Sequence, residues 1–232
     1  MKRTPRILGE ATAIAVGVFL SLWADQWRQD RSVAEEGRES LERIAAELAD
    51  DTVRITGLAD QASRGVAAID SILNADPRAE VTLGLFEREI PWVMQSGIFE
   101  PGFNEFEALR GSGRLGLITD PEILNGLMRY AGSLQSVATM QGLDLDQAHA
   151  VAELMYPHIE LPRSQFVSGL AQGPLFPVPD VEASATELLS DPVFVNEMTY
   201  LGYLRTIHAA IARGSRTQAS ELLELIDRRL NQ

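Results

Sequence analysis

The sequence predicts an all-α fold: an N-terminal transmembrane helix continuous with a long helix, followed by an irregular helical bundle. Three observations carry that prediction. Apolar residues from Val33 to Ile72 recur at three- and four-residue steps, which places them on one helical face. Asp-Pro pairs at 120–121 and 191–192 put a capping carboxylate before a proline at the first helical position, where a missing N–H is tolerated. The period-two alternation of a half-buried strand is nowhere sustained.

The first element is Ile7 to Trp23. Its seventeen residues hold twelve apolar side chains and two glycines, with Glu10, Thr12 and Ser21 as the only polar members. At about 1.5 Å per residue this is roughly 25 Å of helix, the short end of what crosses a bilayer core. Extension to Trp27 adds length and an interfacial aromatic. Eight Leu, Ile, Val or Phe residues offset Glu10, which sits near the edge of the run rather than at its centre. Lys2, Arg3 and Arg6 also suit the start of a cleaved signal, but Leu22, Trp23 and Ala24 put a bulky residue where a small one is needed. The expected layout is therefore a cytoplasmic stub and anchor at 1–27 and a helical extracytoplasmic domain at 28–232.

Basic residues set the expected orientation. Lys2, Arg3 and Arg6 crowd the amino-terminal side, while Arg28 and Arg31 beyond the span are interleaved with Asp25 and Asp30. The asymmetry predicts a cytoplasmic N-terminus and a periplasmic domain at a bacterial inner membrane. The chain carries a formal charge of −13, and without residues 1–23 it keeps 17 basic against 32 acidic residues, or −15. So acidic a domain excludes a nucleic-acid partner and leaves the lipid bilayer to the amino-terminal segment. The chain has no cysteine, which fits either side of the membrane.

The helix begun in the anchor continues. Leu41, Leu48, Ile55, Ala62 and Ile69 form one heptad row, with Ile44, Leu58 and Ile72 in a second row that Asp51 and Gly65 interrupt. Those interruptions favour a helix packed on other helices over a dedicated coiled coil. The segment 74–78 is a turn, and Val81 to Gln95 is a shorter amphipathic helix that Pro91 kinks or splits. Pro101-Gly102 makes another turn, Asn104 to Leu109 a short helix, and Asp120-Pro121 opens a helix that runs to Met155, before Pro157. Residues 157–190 hold five of the eleven prolines and lose the helical period, so they are expected to be irregular and packed over helix ends. Asp191-Pro192 opens a helix to Arg213. A Gly214-Ser215 joint and a last helix, Thr217 to Leu230, follow.

Few residues invite chemistry. Residues 111–116, GSGRLG, match the dinucleotide pattern literally, but a helical stretch precedes them where a strand is required, so they read as a glycine helix stop. His149 and Glu153 are one helical turn apart, and His158 and His208 complete a set with no metal-ligand spacing. No catalytic residues, cofactor or metal site are expected. The one candidate constellation is in the anchor: Gly9, Ala13, Gly17 and Ser21 recur every fourth residue as a ridge for a partner helix, with Glu10 near the azimuth of Gly17.

Gly9-Glu10, the apolar run through Gly17 and Phe19, Asp25 to Trp27, and the helix with Leu41, Ile44, Glu47, Leu48 and Asp51 together resemble a family of bacterial single-span membrane proteins of unknown function. Its second block is echoed by Phe106, Leu109, Ser112, Gly113, Leu115, Leu117 and Ile118. The resemblance covers residues 8–51 and 103–130, 72 of 232. It departs where Ala24, Asp25 and Gln26 replace the family's asparagine pair. It implies a membrane-anchored helical domain and carries over no catalytic residue.

The functional expectation is a non-enzymatic, membrane-anchored interaction or scaffold protein that associates with itself or with another membrane protein. An anchored sensory or ligand-binding module is the first alternative, and an anchored enzyme with an unfamiliar site the second. A ligand module would need a pocket between helices with converging polar groups.

Overall fold

A computed structural model describes residues 4–76, 81–158 and 185–231, with side chains from Gly17 onward except at Val18, 81–83 and Glu87. Every element among them is helical. In order they are α1 (Thr4–Leu73), α2 (Val81–Met94), α3 (Asn104–Gly111), a 3-10 turn (Leu115–Leu117), α4 (Pro121–Met155), a second 3-10 turn (Tyr156–His158), α5 (Ala185–Ser190) and α6 (Pro192–Leu230).

Helix α1 is continuous over 70 residues, as the unbroken helical pattern predicts. Both heptad rows are buried, from Leu41 and Ile44 to Ile69 and Ile72. Each buried Leu or Ile contributes about 1.5–3 kcal/mol of apolar transfer, far more than helix propensity can supply. Helix α6 packs along both α1 and α4 and runs against each. Ile69 faces Gly202 while Ser63 meets Arg213, and Gly126 faces Leu222 while Asp144 meets Arg205. Helices α1 and α4 therefore point the same way, and the segment from α2 to the first 3-10 turn fills the side between them.

That filling differs along the bundle. In the half nearer the amino-terminal arm, Phe99, Phe103 and Phe106 wedge in with Tyr130; the Phe103 ring stacks on Phe106 at 4.8 Å and meets Tyr130 edge-on at 5.1 Å. In the far half, α2 supplies Phe86, Ile90 and Val93 to a separate apolar cluster with Ile69, Met155 and Phe194.

The capped starts are as read from sequence. Asp120 accepts from the Glu122 and Ile123 amides at 2.9 and 3.4 Å, and Asp191 from the Val193 amide at 2.8 Å. The glycine stop is also present: α3 ends at Gly111 and Gly113 takes a φ of +72°. The chain then folds back so closely on α1 that a Cβ at Gly37 would stand 2.5 Å from the Leu117 carbonyl oxygen.

Three expectations are corrected and a fourth is left without support. The Gly214-Ser215 joint is absent, because α6 is one helix of 39 residues. A helical glycine costs about 1 kcal/mol, and burial of Ala212, Ser215 and Ala219 on the neighbouring helices outweighs it. Pro91 does not split α2; it sits inside the helix, three residues before its end. The end of the irregular segment is ordered as α5, which buries Ala185 and Leu188; residues 159–184 lie outside the described ones. The transmembrane anchor is not supported: among the described residues no helix is long and apolar enough to cross a membrane. The apolar part with described side chains, from Gly17 to Trp23, is about 10 Å of helix against a core of about 30 Å. Asp25, Arg28, Asp30 and Arg31 follow at once.

Candidate functional site

Two polar layers cross the bundle where the second heptad row of α1 is interrupted. The first is built on Asp51, which is fully buried. Its Oδ1 accepts from the Gly102 amide at 2.7 Å and its Oδ2 from the Tyr130 hydroxyl at 3.0 Å. A buried carboxylate without partners is strongly unfavourable, so these two donors are what make aspartate tolerable there. Burial, and then the Asp51 carboxylate, push the Tyr130 phenol well above the ordinary tyrosine range. One turn earlier, Glu47 accepts the Glu105 amide at 3.1 Å and its burial pushes the carboxyl up. Together these carboxylates fix the loop that carries the aromatic wedge.

The second layer separates the two apolar clusters. Asp144 of α4, Arg205 and His208 of α6 are all buried, at 2%, 1% and 0% exposure. Arg205 Nε donates to Asp144 Oδ1 at 2.9 Å, and His208 Nδ1 lies 3.3 Å from Oδ2. The rest of the guanidinium reaches the far end of α2: Nη1 donates to the Trp92 carbonyl at 2.9 Å and Nη2 to that of Gln95 at 3.5 Å. Gly65 supplies the gap in α1 through which the side chain passes. Burial raises the Asp144 carboxyl, but the His208 hydrogen bond and Arg205 outweigh it and the net direction is down. His208 Nε2 has no hydrogen-bond partner.

An Asp–His pair is a component of general-base sites. Here it is enclosed on all sides, with both aspartate oxygens engaged by α6. What the arrangement does chemically is join α4 and α6 to the end of α2 through one carboxylate and one guanidinium, past Gly65 of α1. In the sequence His208 belongs to a set with no metal-ligand spacing, and nothing local marks Asp144 or Arg205; the one local signal is Gly65, a small residue where the row calls for a large one.

The ridge read from sequence is placed in part. The side chains of Gly9, Glu10 and Ala13 lie outside the described residues. Gly17 has no atom of a neighbouring element within 4 Å of where its Cβ would stand, and Ser21 is exposed, so among the described residues no other helix packs on Gly17. Around them α1 leaves the bundle as an arm. Phe19, Leu20, Leu22, Trp23 and Trp27 are 54–69% exposed, and burial begins only at Glu36 and Gly37. Arg31 lies over the Trp27 ring at 5.6 Å.

His149 and Glu153 stand on the exposed side of α4, and among the described residues no three candidate metal ligands converge. A cleft of about 200 Å³ between α4 and α6 is lined by Glu122, Arg129, Glu221 and Arg228, below the roughly 300–1,000 Å³ of small-molecule sites. No family model, curated protein or solved structure matches the chain.

Proposed function

We propose that this chain is a membrane-anchored helical interaction protein, held at a bacterial inner membrane by its amino-terminal arm, with the bundle on the periplasmic side and associating with a second copy or another membrane protein. The observation that carries the reading is the arm. It extends Phe19, Leu20, Leu22, Trp23 and Trp27 into solvent with no part of the bundle against them. Large apolar side chains grouped in this way mark a surface that an apolar environment covers. Trp23 and Trp27 close the run where charged residues begin, the placement favoured at a membrane–water boundary. In the sequence, residues 7–16 are also mostly apolar, and Lys2, Arg3 and Arg6 support the orientation.

Membrane fractionation tests the reading. The full chain should remain with membranes through alkaline carbonate washing, and a chain starting at Glu35 should be released as a folded helical protein. A full chain that washes off, or a shortened one that sediments equally, overturns it. An alkaline phosphatase fused to the C-terminus should be active if the bundle is periplasmic, and silent if it is cytoplasmic.

A further inference from the structure

The cleft between the start of α4 and the end of α6 has a buried apolar floor and a charged rim. Its floor is the contact of Gly126 with Leu222, both buried, where a Cβ on Gly126 would stand 2.8 Å from Leu222 Cδ1. Glycine at that position lets the two helices approach and leaves the space over its own backbone open. The helices run in opposite directions from this crossing. Arg129, Gln218 and Glu221 therefore fall at one end of the cleft, and Glu122 and Arg228 at the other. Leu225 continues the apolar floor between them. Many arginines of the bundle are engaged: Arg43 with Glu105, Arg110 with Glu107, Arg114 with Glu36 and Arg229 with Asp120. Among the described residues Arg129 and Arg228 have no such partner, and the carboxylates of Glu122 and Glu221 have none either. Four charges, two of each sign, thus line one cleft of about 200 Å³ without pairing among themselves.

We propose that this cleft binds a free α-amino acid with an aliphatic side chain. The ligand carboxylate accepts from the Arg129 fork and the Gln218 amide, its ammonium donates to Glu221, and its side chain lies on Leu222 and Leu225. The balance of charge selects this class. A net anion would meet two carboxylates on a chain of formal charge −13, and a diamine would meet two guanidiniums. A zwitterion satisfies one charge of each sign at once. Direct closure of Arg129 on Glu221 would gain little at so exposed a position, so pairing within the protein does not outcompete the ligand. The volume sets the size, since 200 Å³ is too small for a drug-sized molecule and suits one the size of leucine. The site goes beyond the interaction reading, because nothing in it involves the arm.

Calorimetric titration of the full chain with L-leucine tests the site. Binding should be saturable, with a Kd below about 1 mM. Arg129→Gln and Glu221→Gln should each weaken it at least about tenfold, the loss of a charge-assisted hydrogen bond. Both side chains are exposed, so the variants should melt like the parent. Two derivatives probe the same contacts in the unaltered chain. N-acetyl-L-leucine lacks the ammonium and L-leucinamide lacks the carboxylate, and each should bind at least about tenfold more weakly than L-leucine. Absence of saturable binding, a variant that binds like the parent, or a derivative that binds like L-leucine overturns the proposal. So does binding of succinate or putrescine as tight as that of L-leucine. None of these outcomes depends on whether the arm enters a membrane.

Discussion

Gly65 faces Arg205 so closely that a Cβ there would overlap Nη1 and lie only 3.0 Å from Cδ and 3.2 Å from Cζ. Alanine is worth about 1 kcal/mol over glycine in a helix, yet Gly65→Ala should destabilise by about 1–3 kcal/mol, because the guanidinium loses its fit to the Trp92 carbonyl and Asp144. In an Arg205→Met background the same change should turn neutral or stabilising. Urea unfolding of the four chains of that cycle gives the coupling directly. Simple additivity would show that the two positions do not share a constraint.

The Tyr130–Asp51 pair predicts an alkaline signature. Tyr156, Tyr200 and Tyr203 are exposed, while Tyr130 is buried with its phenol held protonated. Absorbance at 295 nm should show one phenolate that forms only as the bundle unfolds. The raised folded value stabilises fully below the unfolded value near 10, and stability falls as pH rises above it. Tyr130→Phe should remove that late step and cost about 1–3 kcal/mol by stripping a donor from a buried carboxylate.

Asp144 predicts the opposite limb. Its folded value is lowered, so its contribution is present above the unfolded carboxylate value of about 3.9 and is lost as pH falls through the folded value. Urea midpoints from pH 7 down to 2 should drop below about pH 4 in the parent and flatten in Asp144→Asn, whose plateau lies lower throughout. A parallel fall in both chains would remove Asp144 as the cause.

Asp120 both caps α4 and faces Arg229 at 3.4 Å. Asp120→Ala should cost about 0.5–2 kcal/mol, mostly through the cap. Arg229→Ala should cost under about 1 kcal/mol, since that side chain is half exposed and screened. Thermal melts of the two variants check the order.

On the arm, Phe19→Asp with Leu22→Asp should reduce the membrane-bound fraction of the full chain and leave the bundle's melting unchanged. Both side chains lie outside the packed region. Fractionation and circular dichroism on one preparation separate the two effects. A lowered melting temperature would mean that the arm folds back onto the bundle.

The core of α1 was legible because burial there is periodic within a single helix: Leu41 to Ile72 declare one face without reference to anything else. The caps at Asp120 and Asp191 were legible for the same reason, since partner and donor lie within three residues. What the sequence hid is long-range. Asp51 and Gly65 stood out as breaks in a row, but Tyr130 is 79 residues from Asp51, and nothing local names Arg205 as the side chain that Gly65 admits. Gly214 shows the converse. Local propensity argued for a joint, and packing of Ala212 and Ala219 kept the helix continuous through it. The small-residue ridge read in the anchor meets no other element at Gly17 among the described residues.

Because α1 runs without a break from Thr4 to Leu73, the arm and the bundle share one helical phase. Trp23 and Trp27 point where Ile44 and Leu48 oblige them to, about 100° of turn for every intervening residue. Whatever the arm lies in is therefore indexed to the face of the bundle that carries α2. Twisting or sliding the arm cannot be absorbed at a joint; it arrives, along roughly 100 Å of helix, at the ring of contacts around Gly65.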